Sequence, residues 1–158
     1  MIAVLHNIRS LHNVGSIFRT ADAVGAEKIF LCGYTSAPFD EYGLPRGSLI
    51  KTALGAENYL AWEKRGSTAK VLDELKQKGY LIYAVEQGKG SVRADRLKLS
   101  KKQWGRAVLV VGNEIKGLSP GVLKRCDKIL EIPMRGKKES LNVSVAFGIA
   151  AYSLSEKL

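Results

Sequence analysis

Short apolar runs alternate with longer amphipathic stretches along this chain. The runs IAVLH (2–6), KIFLC (28–32), YLIYAV (80–85), AVLVVG (107–112) and KILEIP (128–133) have the length and residue types of buried strands. Between the first two, NVGSIFRTADAVGA (13–26) sets Val14, Ile17, Ala21 and Val24 at helical spacing. STAKVLDELKQKG (67–79) is a second amphipathic helix, with Val71, Leu72 and Leu75 facing inward and Gly79 as its stop. SPGVL reads as Ser119 capping a short helix with Pro120 at its first position. Strand–helix–strand repetition predicts an α/β fold, a largely parallel sheet with helices on both faces. No internal repeat, low-complexity tract or linker interrupts it, so residues 1–158 read as a single domain.

Ligands of open α/β sheets gather at the carboxyl ends of the strands. Three segments in that position are rich in Gly, Asn, Ser and charge: VEQGKG (85–90), GNEIKGLSP (112–120) and PMRGKKESLN (133–142). One such loop is commonplace, whereas three predict a shared pocket. The last leads into a small-residue helix through Ser140, Leu141 and Asn142, an entrance more polar than a packing helix needs.

Charge adds a possible partner. The net charge is +10, yet residues 1–50 carry four Lys or Arg against four Asp or Glu, so the excess lies beyond them. It is densest in KGSVRADRLKLSKKQWGR (89–106), with seven basic side chains against Asp95. Such a patch attracts a polyanion through its phosphates, or simply keeps a solvated loop soluble. Cys32 and Cys126 lie far apart and outside any CxxC pair, so neither a disulfide framework nor a metal site is expected. The start lacks the apolar length of a signal peptide, and no run reaches bilayer length, which predicts a cytoplasmic protein with no membrane partner.

The familiar nucleotide fingerprints GxGxxG and GxxxxGK[ST] do not occur. His6 and His12 have no visible serine or cysteine partner and read as surface or core histidines. Asn13 can cap the first helix, and helical geometry can bring Arg19, six residues on, toward the same end of the sheet; by spacing alone the pair reads as a cap and a surface arginine. By spacing alone, Glu114 and Lys116 have an ordinary reading as turn residues.

Taken together, three segments carry more. N-x-G-S-I-x-R-T (13–20), G-N-E-x-x-G-L (112–118) and I-P-M-x-G-x-x-x-S-L-N-V-S-V-A (132–146) occur in this order. They resemble the three motifs of the SpoU/TrmH family of RNA 2′-O-methyltransferases, part of the SPOUT class, and the resemblance spans essentially the whole chain. It implies an α/β fold whose C-terminal part is tied in a deep trefoil knot, against the general rule that chains are unknotted. It implies S-adenosylmethionine as cofactor, bound by Val85, Glu86, Gly112, Ile132, Met134, Ser140, Leu141 and Asn142. It assigns Arg19 to activating the ribose hydroxyl, with Asn13, Glu114, Ser140 and Asn142 as supporting catalytic residues. The implied partners are tRNA or rRNA and a second copy of the chain, with active sites at the interface of a homodimer. Val145, Ile149 and Tyr152 on the last helix offer an apolar surface compatible with that. With no separate RNA-binding domain in the expected organisation, RNA recognition falls to the catalytic domain or to a partner protein. A SPOUT enzyme acting on a base nitrogen and a catalytically silent RNA-binding module remain as alternatives.

Overall fold

The computed structural model describes residues 1–155. Seven strands form one parallel sheet in the order β3-β2-β1-β6-β4-β7-β5. The strands are β1 (Ile2–His6), β2 (Lys28–Cys32), β3 (Ala61–Arg65), β4 (Leu81–Val85), β5 (Val92–Arg93), β6 (Ala107–Val111) and β7 (Lys128–Glu131). The five apolar runs are the five inner strands. Both edge strands escape the apolar pattern for a physical reason. β3, AWEKR, is polar because an edge faces water, and its Glu63 pairs with Lys28 at 2.6 Å and Arg65 at 3.2 Å. β5 is two residues long, too short to show any period.

Alternate residues of each strand face opposite ways and build two cores. Ala3 and Leu5, with Ile29, Leu31, Leu109 and Val111, pack under α1 (Leu11–Ala23) and α7 (Val143–Leu154). Ile2 and Val4, with Phe30, Val108 and Val110, pack under α4 (Thr68–Gln77) and α6 (Pro120–Leu123). Val71, Leu72 and Leu75 of α4 are buried as their spacing predicts, and Gly79 beyond it has φ +78°. Ser119 precedes α6, with Pro120 in its first turn, but its side chain makes no capping hydrogen bond.

The stretch 33–60, for which the pattern predicts no element, contains α2 (Gly47–Ala53) and the single turn α3 (Ala56–Tyr59). α2 lies tightly on α1: a Cβ on Gly15 would stand 2.2 Å from the Leu49 carbonyl oxygen and 2.1 Å from Thr52 Oγ1. The basic stretch 89–106 is also folded. It holds β5, a 3₁₀ turn over Ala94–Arg96 and α5 (Lys101–Gly105), whose start is closed by a reciprocal Ser100–Gln103 capping box.

Candidate active site

The carboxyl ends of β4, β6 and β7 open onto a cleft of about 180 Å³. Its walls are the segments after those strands, as strand-end logic predicts, together with the start of α7. Val85, Glu86, Gly112, Glu114, Ile132, Met134, Ser140 and Leu141 all line it. Sequence reasoning missed Gln87, Ile115, Gly117, Leu130, Val143 and Ala146, which line it too. The last two stand three residues apart at the start of α7, within the third motif, but nothing there singled them out.

Glycines and one carboxylate fix the shape of this cleft. A Cβ on Gly112 would lie 2.6 Å from the Gly117 carbonyl carbon and 2.7 Å from the Leu118 nitrogen, so the 112–118 loop closes on itself only because Gly112 has none. Glu86 accepts from the Leu118 N–H at 3.0 Å and from the Gln87 N–H at 3.0 Å, latching the segment after β4 to the segment after β6. Gly117, at φ +62°, leaves room for that carboxylate, which would otherwise meet a Cβ at 2.3 Å. Gly136 of the third motif stands in open space among the described residues.

At the rim, three distant segments join through side-chain amides. Asn142 Nδ2 donates to Asn13 Oδ1 at 3.0 Å, and Asn13 Nδ2 donates to Glu114 Oε1 at 3.0 Å. Glu114 also accepts from the backbone N–H groups of Arg9 at 3.2 Å and Ser10 at 3.1 Å. Burial pushes the Glu114 carboxyl up, but its own backbone N–H, those of Arg9 and Ser10 and the Asn13 amide together hold it below the ordinary glutamate value. It therefore stands as a carboxylate at neutral pH. Asn142 caps α7, accepting from the Ser144 N–H at 2.9 Å and the Ser144 hydroxyl at 2.7 Å. That divided use of one amide explains the polar helix entrance: its oxygen starts the helix while its nitrogen reaches Asn13. Ser140 is exposed beside it, and its hydroxyl has no hydrogen-bond partner among the described residues.

Asn13 does not cap α1. The cap is Ser10, whose hydroxyl accepts from the Asn13 N–H at 3.3 Å, so the helix begins earlier than expected. Because helical side chains lean toward the N-terminus, this places the Asn13 amide at the carboxyl edge of the sheet and frees it for Glu114 and Asn142. Arg19, by contrast, is not brought to the cleft of its own chain. Six residues carry it about 9 Å along the helix axis. There it lines a separate groove with Ser16, Thr20, Lys51 and Tyr152, exposed and without an ion pair among the described residues.

The groups outside this cleft have ordinary explanations. His6 Nδ1 lies 2.7 Å from Thr68 Oγ1, with Asn7 on its other nitrogen, while His12 is exposed. Burial pushes the Cys32 thiol up to about 11, so it is no nucleophile at neutral pH. No group of metal-ligating side chains occurs among the described residues, and none of the described helices is long and apolar enough to cross a membrane.

The model of the SpoU rRNA Methylase family matches residues 1–152. The chain belongs to that family. Among its relatives, the tRNA (guanosine(18)-2′-O)-methyltransferase of Aquifex aeolicus is 35% identical over 152 residues, covering 96% of this chain and 67% of that enzyme. This chain covers smaller shares of several other relatives, among them 57% and 37% of the next two. The crystal structure of an A. aeolicus TrmH/SpoU tRNA modifying enzyme aligns with a TM-score of 0.79 at 34% identity, over 96% of this chain and 72% of that one. An AdoMet-bound rRNA methyltransferase from Sinorhizobium meliloti aligns with a TM-score of 0.83 at 28% identity, over 96% of this chain and 54% of that one. The SpoU-type α/β fold expected from the sequence is thereby confirmed.

Proposed function

We propose that this SpoU-family chain is an S-adenosylmethionine-dependent methyltransferase acting on a ribose 2′-hydroxyl of tRNA or rRNA. The observation that carries the reading is the amide relay from Asn142 through Asn13 to Glu114, which ties three remote motifs together at the mouth of one cleft. The cleft suits a nucleoside cofactor. Leu130, Ile132, Leu141 and Val143 offer apolar walls for a flat ring, and the glycine-bearing 112–117 segment exposes backbone to its polar edge. When bound, S-adenosylmethionine would supply a methyl carbon on a positively charged sulfur; transfer to a 2′-oxygen would break that carbon–sulfur bond, leave a neutral thioether and release the hydroxyl proton to solvent.

The chain's own residues then have two tasks. Alignment is the first: the Glu86 latch holds the cleft's shape, and the relay orients Asn142 at the cleft mouth, with the exposed Ser140 hydroxyl beside it for the ribose. Orientation of this kind contributes about 7–11 kcal/mol to the most favourable reactions. The second is to polarise the hydroxyl and hold the adjoining phosphate. Arg19 fits it through a planar guanidinium, whose fork of N–H donors matches phosphate and hydroxyl oxygens.

Arg19 lies outside its own cleft, and this supports a homodimer in which it serves the partner's. Its groove includes Tyr152, the last of three exposed residues, with Val145 and Ile149, along α7. Residues 1–158 are one catalytic domain in this reading. Its C-terminal knot is consistent with α7 being held between α1 and the 94–99 segment, where the Leu99 N–H donates to the Leu154 carbonyl at 2.8 Å.

The test is transfer of labelled methyl from S-adenosylmethionine to tRNA and rRNA from cells lacking this gene, followed by mass mapping of the product. The mapped site is then remade with 2′-deoxyribose at the target nucleotide. Loss of all transfer supports a ribose acceptor. Continued methylation would move the acceptor to a base and favour the base-nitrogen alternative. Absence of cofactor binding at millimolar concentration would favour a silent RNA-binding module.

A further inference from the structure

A second, shallower groove adjoins the cleft on the β1 and β2 side, lined by Arg9, Tyr34, Asn113, Ile115 and Lys116. Asn113 and Ile115 line both, so the two are continuous. Tyr34 is 56% exposed, yet it is held at both ends. Its N–H donates to Asn7 Oδ1 at 3.1 Å, and its phenolic oxygen accepts from Asn113 Nδ2 at 2.8 Å. Asn7 takes a left-handed conformation at φ +57°, and Gly33 at φ +62° leaves space for the Asn7 amide, which would sit 1.9 Å from a Cβ there. Asn113 is 6% exposed and fully occupied: its Nδ2 also donates to the Asn7 carbonyl at 3.0 Å, and its Oδ1 accepts from the Ile115 and Lys116 N–H groups. A half-exposed aromatic ring is therefore anchored to the loop that carries Glu114. Arg9 and Lys116 lie beside it, exposed and without an ion pair among the described residues.

We infer that this groove holds the nucleotide adjoining the one methylated, with its base stacked on Tyr34 and its phosphates met by Arg9 and Lys116. The inference rests on the RNA reading above and specifies part of its substrate: a single-stranded or splayed stretch of at least two nucleotides at the site. A ring that cannot swing away loses little freedom on stacking, and every base offers a π-face. Two cations flanking an aromatic residue match a nucleotide better than an apolar ligand. The Arg9 N–H on Glu114 also fixes this groove relative to the relay.

The test compares Tyr34→Leu and Tyr34→Phe with the unaltered protein. Each is titrated with pooled tRNA and rRNA from cells lacking the gene, with inorganic polyphosphate as a base-free polyanion, and with S-adenosylmethionine. Tyr34→Leu should weaken RNA binding about tenfold, within the range found for removing one stacking aromatic. Polyphosphate and cofactor binding should stay unchanged, and Tyr34→Phe should retain RNA affinity within about twofold. Unaltered RNA affinity in Tyr34→Leu, an equal loss toward polyphosphate, or an equal loss in Tyr34→Phe would overturn the inference. Should Tyr34→Leu fail to bind cofactor, the double variant Arg9→Gln, Lys116→Gln decides. A fall of roughly 1.4 in the salt slope supports the groove, and an unchanged slope overturns it. An unaltered protein that binds cofactor but neither RNA overturns the RNA reading itself, and the groove's role with it.

Discussion

Three donors from other residues converge on the carboxylate of Glu114: the N–H groups of Arg9 and Ser10 and the Asn13 amide. A glutamine presents one acceptor oxygen and turns an NH2 toward donors it cannot satisfy. Glu114→Gln should therefore loosen Asn13, and through it Asn142, while leaving both hydrophobic cores intact. Methyl transfer should fall about 10²-fold, the usual effect of a misplacement near 1 Å, with the circular-dichroism spectrum unchanged. The same contacts set a pH dependence. Because the folded-state pKa of Glu114 is depressed, its stabilising contribution is complete above the unfolded value of about 4.3 and is lost as pH falls through the folded value. Thermal melts from pH 3 to 7 should show an acid-side loss of stability that is shallower in Glu114→Gln, and identical acid limbs would contradict it. The motifs made Glu114 and its donor Asn13 legible as site residues, but not the other two donors. Arg9 and Ser10 contribute backbone N–H groups, which leave no mark on residue type.

Elements divide into those the pattern predicts and those set by tertiary context. The inner strands and α4 follow from apolar runs and a helical stripe, because burial selects residue type directly. β3 and β5 do not, since an edge strand is chosen by its neighbour's free hydrogen-bonding groups and tolerates charge. The start of α1 was misplaced for another reason: Asn13 has the side chain of a cap, and only the positions of Glu114 and Asn142 show that its amide is needed elsewhere, which leaves the cap to Ser10. Loop glycines give a sharp contrast at this scale. Gly112→Ala places a methyl against backbone atoms that cannot rotate away, so it should cost about 1–3 kcal/mol and abolish cofactor binding by opening the 112–118 loop. Gly121 of α6 has open space around it and no positive φ. Gly121→Ala should add about 0.4–1 kcal/mol by restricting the unfolded chain. Denaturant titration of the two variants, with calorimetry of the cofactor, checks both signs, and a stabilised Gly112→Ala would refute this account of the loop.

On the scale of the whole molecule, two features lack partners among the described residues. Val145, Ile149 and Tyr152 are 49%, 40% and 52% exposed along one side of α7, and Arg19 lies in the groove that Tyr152 shares. The motif made Arg19 legible, but in the homodimer proposed above the cleft it would serve depends on a second chain, which no linear pattern encodes. A homodimer formed through this face buries the stripe and brings Arg19 toward the neighbouring molecule. Val145→Glu with Ile149→Glu should then convert dimer to monomer in sedimentation velocity and remove methyl transfer while cofactor binding survives. Arg19→Ala should leave fold and cofactor binding intact and reduce transfer by ~10²–10⁴, and Arg19→Lys should rescue little because the planar fork is lost. Mixing inactive subunits decides which cleft each arginine serves. In a heterodimer of Arg19→Ala and Asn142→Ala chains, the Arg19→Ala subunit keeps a sound cleft and receives Arg19 from its partner. One of its two sites works, and random exchange makes half the dimers mixed, so roughly a quarter of unaltered activity should return. If Arg19 instead acts within its own chain, neither site of the mixed dimer is complete. Activity would then stay at the level of the separate variants.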